Sequence, residues 1–393
     1  MGESDSEVKP VAPKRERLFS LDLLRGLDMF FLVAIAPVFN AIHKVYHWPS
    51  GGTMADLFWH ASIREPRFAL YDLVMPLFIF MCGVAVPYAL SSRLEGGRPT
   101  WKFWKHVLLR VAMLWVVGVF VCGGGFSLCY KETWIFNNTL EAIACGYLIA
   151  ALVFLLPKFW MRAALPLILF AVNVGLMVAY SDPDPAKAYT FDGNAAMIFE
   201  KFCIKAIQGF EKWNGGYSWY FSIPMFGFMT CCGSICAEIL RKEGECKWCK
   251  ALKLILFTAV LSGLALFTWK VLGMPACKCI WTGTFTAYAT AASVAMLVFL
   301  YILTDIFRLR WGLGLLILYG QFALTAYLVG ECVFRETLRR CAESLFRGVP
   351  HLLEVWGVTQ DGGQFRELIL RVGVVILITA VLLVRRRLKA RAK

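Results

Sequence analysis

Long apolar stretches alternate with short polar segments along almost the whole chain. Each stretch runs for about 20 residues, the length that a helix needs to cross the hydrocarbon core of a bilayer. We predict membrane spans at 22–43, 69–91, 107–123, 139–156, 163–180, 217–240, 251–272, 283–305, 312–334 and 367–385. The pattern therefore predicts an all-α, polytopic membrane protein with about ten transmembrane helices in one bundle.

The polar ends of the chain give the predicted domain organisation. Residues 1–17 are polar and charged and precede the first apolar run, so we expect a disordered cytoplasmic arm there. That run has no small-residue cleavage site after it, so we expect it to be kept as the first span. Residues 18–386 form the predicted transmembrane domain, and 387–393 form a basic cytoplasmic tail. No internal repeat is evident, which argues against a transporter built from two inverted halves.

Composition and charge support this organisation and give it an orientation. Hydrophobic residues make up 59% of the chain and charged residues 17%, against about 25% charged in a soluble domain. The net charge is +14. Placing both termini in the cytoplasm puts most lysines and arginines on the inner side, as the positive-inside bias requires. The loops 44–68, 181–216 and 335–366 then lie outside.

The 14 cysteines do not form the pattern of a secreted disulfide scaffold, because many lie inside apolar runs. Cys246 and Cys249 make a C-x-x-C pair in a basic inner loop. This pair is a metal or redox site, or else two unpaired loop thiols, and without a second C-x-x-C we favour the unpaired thiols. Five further cysteines fall on the outer side and can form disulfides if that side is oxidising: Cys129, Cys277, Cys279, Cys332 and Cys341.

The strongest candidate chemistry stands at the outer mouth of the second span. His60 precedes this span and Asp72 begins it. An imidazole near neutral pH can remove a proton from an amine or hydroxyl, or can attack an acyl group itself. A carboxylate that accepts from one ring nitrogen would fix the tautomer. Ionisable residues at such a depth are expensive, so function is the first hypothesis, with an interfacial anchor as the alternative for His60.

A second candidate site lies at the inner end of the first span, in the motif that begins at Arg17. Ser20 or Asp22 can cap the helix start, and Asp22 can pair with Arg25 one turn later. A helix start with Arg17 and Arg25 nearby also predicts an anion site for the phosphates of a nucleotide-bearing acyl donor. A simple cap with a local ion pair is the alternative.

Three further residues complete the candidate site. Trp281 and Thr282 enter the eighth span from the outside, and Asn40 lies late in the first span. Each is a candidate for contacting substrate or an oxyanion, and packing is the alternative, which is the more frequent role of such a segment as the one that holds Trp281 and Thr282. His43 and His47 share a helix face, but no third ligand is apparent, so no metal is expected.

Two motifs together resemble a known family. The opening Arg-Leu-x-Ser-Leu-Asp-x-x-Arg-Gly at 17–26 is similar to that of the heparan-alpha-glucosaminide N-acetyltransferases and their bacterial relatives, within the wider transmembrane acyltransferase group. So is His60-Ala61-Ser62 followed by Asp72-Leu73-Val74-x-Pro76-x-Phe78-x-Phe80-x-x-Gly83. Weaker similarity occurs at Trp281-Thr282 with Phe285, and at Gly320 with Tyr327.

The resemblance implies an acetyltransferase that works across the bilayer. Acetyl-CoA would bind from the cytosol at Arg17, Ser20, Asp22 and Arg25, and His60 with Asp72 would mediate transfer to an extracytoplasmic amino sugar of the glucosamine type. It also implies a homodimer that is embedded in the lipids of a bacterial inner membrane. We expect His60 on the periplasmic side and no nucleic-acid partner. The alternative from another class is a secondary transporter for a sugar or amphiphile, with a His60/Asp72 proton relay.

Overall fold

Helices make up nearly all of the regular structure. The structure, a computed structural model, describes residues 18–46, 69–124, 129, 131–184, 187–190, 193–209, 216–331, 334–357 and 362–391. The α-helices are α1 Phe19–Phe30, α2 Ala36–Tyr46, α3 Val74–Leu90, α4 Trp101–Val117, α5 Thr139–Phe154, α6 Phe159–Tyr180, α7 Ala195–Gln208, α8 Ile223–Arg241, α9 Lys247–Lys270, α10 Gly283–Tyr301, α11 Gly314–Gln321, α12 Ala323–Gly330, α13 Arg335–Phe346, α14 Val349–Val355 and α15 Arg366–Arg391.

Short π and 3-10 turns lengthen several of these helices. The π turns are Phe31–Ile35, Gly118–Cys122 and Ile302–Ile306, and the 3-10 turns are Leu70–Leu73, Ser91–Arg93 and Gly362–Phe365. The strands β1 Leu94–Glu95 and β2 Arg98–Pro99 pair antiparallel, with Leu94 opposite Pro99, and form a small hairpin before α4.

Seven helices among the described residues are long and apolar enough to cross a membrane, which confirms an all-α, membrane-integral fold. They are Leu70–Arg93, Trp101–Val121, Phe159–Tyr180, Ile223–Arg241, Lys247–Lys270, Gly283–Ile306 and Arg366–Arg391. The other three predicted spans take different forms. The first is α1 and α2 joined by a π turn, the fourth is the shorter α5, and the ninth divides into α11 and α12 at Phe322.

The bundle is layered, with α3, α8 and α10 at its centre. Most residues of these three helices are buried, whereas α4, α6, α9 and α15 expose apolar side chains on one face, as helices facing lipid do. The α3–α8 contact is close at Gly83, where a Cβ atom would collide with the carbonyl of Thr230. Small residues at such crossings allow helices in membranes to approach one another.

The bundle has an inner end and an outer end. The inner end is where α1 begins and α3, α8 and α10 finish, because Leu18, Tyr88, Leu240 and Tyr301 line one cavity there. The outer end is where Asp72 lies, at the start of the α3 span.

Several segments differ from the expectation. The predicted outer loop 181–216 contains α7, and 335–366 contains α13 and α14. The helix α15 continues to Arg391, so residues 387–391 of the predicted basic tail are helical, and the cytoplasmic placement of this tail stays a prediction. The expectation of unpaired thiols at Cys246 and Cys249 is wrong, since a disulfide joins them. Of the possible outer cysteines, Cys277, Cys279 and Cys341 are free thiols, and Cys332 lies outside the described residues.

Candidate functional site

The centre of the candidate site is a buried ion pair at the outer end of the bundle. Lys278 Nζ lies 3.2 Å from Asp72 Oδ1. The side chain of Lys278 is 6% exposed and that of Asp72 is fully enclosed. Two opposite charges held out of water at hydrogen-bond distance form a pre-organised pair whose separation would leave a costly buried charge. The pair joins the start of the α3 span to the loop between α9 and α10.

The environment of this pair alters the acidity of the loop residues. Burial lowers the pKa of the Lys278 ammonium below its ordinary value, and the Asp72 carboxylate opposes that effect. A hydrogen bond from the Cys277 thiol lowers the pKa of the Cys279 thiol; the charge of Lys278 adds to this and burial works against it. An amine whose pKa falls in this way accepts and releases a proton closer to neutrality than an ordinary lysine.

A network of hydrogen bonds fixes the loop that carries Lys278. Thr282 Oγ1 donates to the Pro275 carbonyl at 2.8 Å and accepts from the backbone amide of Cys277 at 3.0 Å. The same oxygen accepts from the Phe285 amide at 3.4 Å, and so caps α10. Thr282 is therefore fully engaged in holding the loop, and its predicted contact with substrate stays a prediction.

Trp281 is the strained residue of this loop. Its φ of 47° lies in the left-handed region, which is uncommon for a bulky side chain and costs of the order of 1–3 kcal/mol. The indole is fully buried, edge-to-face with Phe226 at 4.8 Å and with Phe285 at 5.5 Å. Its Nε1 finds no acceptor among the described residues. Backbone strain of this kind is common at functional sites. The indole ring itself, however, packs in the protein core, which is a structural role.

Asn40 belongs to a different cavity on the same outer side. This outer polar cavity has a volume of about 480 Å³ and is lined by Asn40, Lys44, Tyr71, Glu331, Arg335 and Arg371, among others. Asn40 Oδ1 is buried, with no hydrogen-bond partner among the described residues. Tyr71, which lines this cavity, directly precedes Asp72 in the chain. Mixed carboxylates, guanidiniums and an amide suit a polar, hydroxyl-bearing ligand.

The inner end carries a strongly basic cavity of about 590 Å³. Six lysines and arginines line this inner basic cavity, against two carboxylates, Glu243 and Asp305; the six are Arg241, Lys242, Lys247, Lys250, Arg308 and Arg310. Lys247 Nζ donates to the Asp305 carbonyl and Lys250 Nζ to the Leu240 carbonyl, each at 2.9 Å. Clustered cations at a membrane surface attract phosphates.

The start of α1 meets this cavity through Asp305. The backbone amides of Phe19 and Ser20 donate to the Asp305 carboxylate at 3.2 and 3.1 Å. The expectation that Ser20 or Asp22 caps the helix is therefore wrong: Leu18 is the N-cap residue, and a carboxylate from the π turn that follows α10 replaces a local cap. The cap is non-local because both candidates lie inside the helix, where their side chains cannot reach the first amides.

The residues predicted to bind acetyl-CoA do not lie together in the structure. Ser20 is buried beside Asp305, whereas Arg25 lines a separate cavity between α4 and α11–α12. The backbone of Asp22 packs on α11 at Gly320. Arg17 and His60 lie outside the described residues, as does His47, and no cluster of three potential metal ligands occurs in the described part of the chain.

A row of buried hydroxyls on α10 lies between the two ends. Thr286, Thr290 and Ser293 share one helix face and are at most 1% exposed. Each hydroxyl donates to a carbonyl of the preceding turn: Thr290 to Thr286 at 2.6 Å and Ser293 to Ala289 at 2.7 Å. All three hydroxyls of this row are therefore engaged by backbone carbonyls of the protein.

Sequence reasoning missed Lys278 as a partner of Asp72, and missed Asp305. A signal was available, since a lysine between two cysteines at the edge of a span is unusual and intramembrane carboxylates call for a cation. Asp305 carried the same signal, as a carboxylate at the end of a predicted span.

Comparison with known proteins adds no relative. A scan against protein-family models finds no matching model, and a search of curated proteins finds no matching sequence. The function is therefore argued from the site.

Proposed function

We propose that this chain is a transmembrane acetyltransferase, which moves an acetyl group from cytosolic acetyl-CoA to an extracytoplasmic amino sugar. The observation that carries the proposal is the enclosed Asp72–Lys278 ion pair at the outer end of the bundle. Asp72 belongs to the motif whose resemblance suggested the activity. An ionisable pair at this depth is a functional-site hypothesis by default.

The proposed chemistry begins with the acceptor amine. His60 removes a proton from the amine, the amine nitrogen attacks the thioester carbonyl, and the C–S bond breaks to release CoA, whose sulfur takes up a proton. The route through an acetyl-histidine has His60 attack first and the amine second. Asp72 acts as the positioning carboxylate, and Lys278 holds Asp72 ionised. The outer polar cavity beside Tyr71 is the proposed entry for the sugar.

The donor is assigned to the inner end. CoA carries phosphates, and the inner basic cavity presents six cationic side chains to receive them. Of the predicted donor residues, Ser20 lies beside this cavity. Arg25 lines a different cavity, the one between α4 and α11–α12.

The proposal includes the finer topology. The α1–α2 segment, α5 and the α11–α12 pair cross the membrane together with the seven long helices, which gives ten spans with both termini in the cytoplasm. The excess of basic residues at the inner end supports this orientation. A homodimer in a bacterial inner membrane, with no metal, completes the proposal.

The test is acetyl transfer by the purified full-length protein in nanodiscs, with radiolabelled acetyl-CoA and glucosamine. We expect labelled N-acetylglucosamine from the wild type and a loss of at least about a hundredfold in His60→Ala. The matched control is His351→Ala, since His351 is exposed on α14 and contacts only Glu354 among the described residues.

Each alternative has a distinct result. Transfer that survives in His60→Ala removes the histidine from the mechanism. Proton-coupled glucosamine uptake into liposomes without acetylation would establish the transporter instead. CoA binding without transfer to any amino sugar would leave a binding protein.

A further inference from the structure

A lateral cavity of about 620 Å³ opens between α4 on one side and α11 and α12 on the other. Its wall includes two arginines and a histidine among apolar side chains. The lining residues include Arg25, His106, Leu109, Arg110, Met113 and Leu324. It shares no lining residue with the inner basic cavity. Its occupant is therefore a separate question from the acyl donor.

Arg110 is the residue whose surroundings indicate a bound anion. It is the fourth residue of the predicted span 107–123, about one helical turn from the inner boundary of the hydrocarbon. Its Nη2 is 3.6 Å from Cys82 Sγ, and its Cζ stands 4.4 Å above the ring of Tyr147. A thiol and an aromatic face are weak partners, and no carboxylate of a described residue lies within ion-pair distance of Arg110. A guanidinium in hydrocarbon is normally paired or reaches water.

Arg25 approaches the same space from α1. Arg25, Arg110 and Cys82 all line this cavity, so the two guanidinium groups border the same space. Two arginines converging on a single space form the arrangement that binds a phosphate or carboxylate by bidentate hydrogen bonds.

The rest of the cavity selects an amphiphile. Leu109 is 65% exposed and Leu324 is 42% exposed, so the rim on each side faces the lipid and the mouth opens sideways. Met113 extends the apolar wall towards the outer end. A soluble anion would have to cross hydrocarbon to enter, whereas a lipid can enter from its own leaflet.

We propose that the lateral cavity binds one anionic phospholipid of the inner leaflet. The lipid phosphate lies between Arg25 and Arg110, and one acyl chain lies along Leu109 and Met113. The lipid supplies the negative charge that Arg110 lacks within the described protein. The site is independent of acetyl transfer and does not require the chain to be an enzyme.

The test uses the full-length protein in phosphatidylcholine nanodiscs that contain a trace of spin-labelled phosphatidic acid or spin-labelled phosphatidylcholine. We expect an immobilised spectral component for phosphatidic acid only, displaced by unlabelled phosphatidic acid and unaffected by millimolar inorganic phosphate. Arg110→Gln should weaken the binding by about tenfold or more, because a charge-assisted pair is lost. Arg98→Gln, an exposed arginine at the same inner end, is the charge-matched control and should bind like the wild type.

Met113→Trp is the second variant, because it keeps both arginines and fills the space for the chain. It should also lose the immobilised component, and its monodispersity and thermal unfolding show whether the fold is intact. Equal immobilisation of the two lipids would overturn the proposal. So would full binding by Arg110→Gln, or displacement by inorganic phosphate, which would mark a site for a free anion.

Discussion

Lys278 and Arg110 are two cations held inside the same bundle in opposite ways. Lys278 has a carboxylate at 3.2 Å and is almost completely enclosed. Arg110 has a thiol at 3.6 Å and a ring, and it borders an open cavity. The protein therefore neutralises one cation internally and leaves the other to be neutralised from outside. Within a membrane, where a bare charge is costly, the first arrangement indicates a pre-organised site and the second indicates a ligand.

The largest expected effect comes from breaking the enclosed pair. Asp72→Asn leaves Lys278 buried without its counter-ion and should lower the free energy of unfolding by about 3–5 kcal/mol. Unfolding by SDS titration in mixed micelles measures this. The double variant Asp72→Asn with Lys278→Met, which removes both charges, should recover most of the loss. Additive losses in the double variant would show that the two residues do not act as a pair.

A smaller loss of stability is expected from a substitution in α3, the helix span that connects the Asp72–Lys278 pair with the surroundings of Arg110. Gly83 lies next to Cys82 and on the same helix span as Asp72, and a Cβ there would collide with the Thr230 carbonyl. Gly83→Ala should cost about 1–3 kcal/mol and disturb both regions, since α3 must move away from α8. Gly263→Ala on α9, where a Cβ has no neighbour within 4 Å, is the control. It should be neutral or stabilising by up to about 1 kcal/mol. Equal losses for the two variants would contradict the close helix contact.

The third prediction uses the lowered pKa of Lys278. An unfolded chain holds its lysine proton up to a pKa of about 10.4, so between the folded pKa and that value the unfolded state binds more protons. The free energy of unfolding should therefore rise with pH across this window, by at most about 1.4 kcal/mol per pH unit from this residue. The double variant, which lacks the amine, supplies the baseline from all other groups. Superimposable curves for wild type and double variant would show that Lys278 titrates normally.

The sequence predicted the enclosed region only in part, for a physical reason. The depth of Asp72 follows from hydropathy, because a carboxylate at the start of an apolar run stands out. Its partner does not follow, because Lys278 is 206 positions away and nothing in its spacing marks the contact. The break of the predicted span 312–334 at Phe322 was missed for a related reason, since apolar composition sets where a span lies but tertiary packing decides whether it stays helical. The all-α membrane fold needs only hydropathy and length, so it could be predicted.

The smallest change in the free energy of unfolding should come from removing Arg110, the cation that borders the lateral cavity. Arg110→Leu in delipidated detergent should change the free energy of unfolding by less than about 1 kcal/mol or raise it, because it removes a buried charge that has no carboxylate partner among the described residues. Arg162→Leu is the matched control. That half-buried arginine lies 2.9 Å from Glu238, and its removal strands the carboxylate, so stability should fall. Phosphatidic acid added back should then stabilise the wild type by mass action and leave Arg110→Leu unchanged. If Arg110→Leu instead loses as much stability as Arg162→Leu without lipid, the guanidinium is already neutralised within the protein, and the contrast with Lys278 fails.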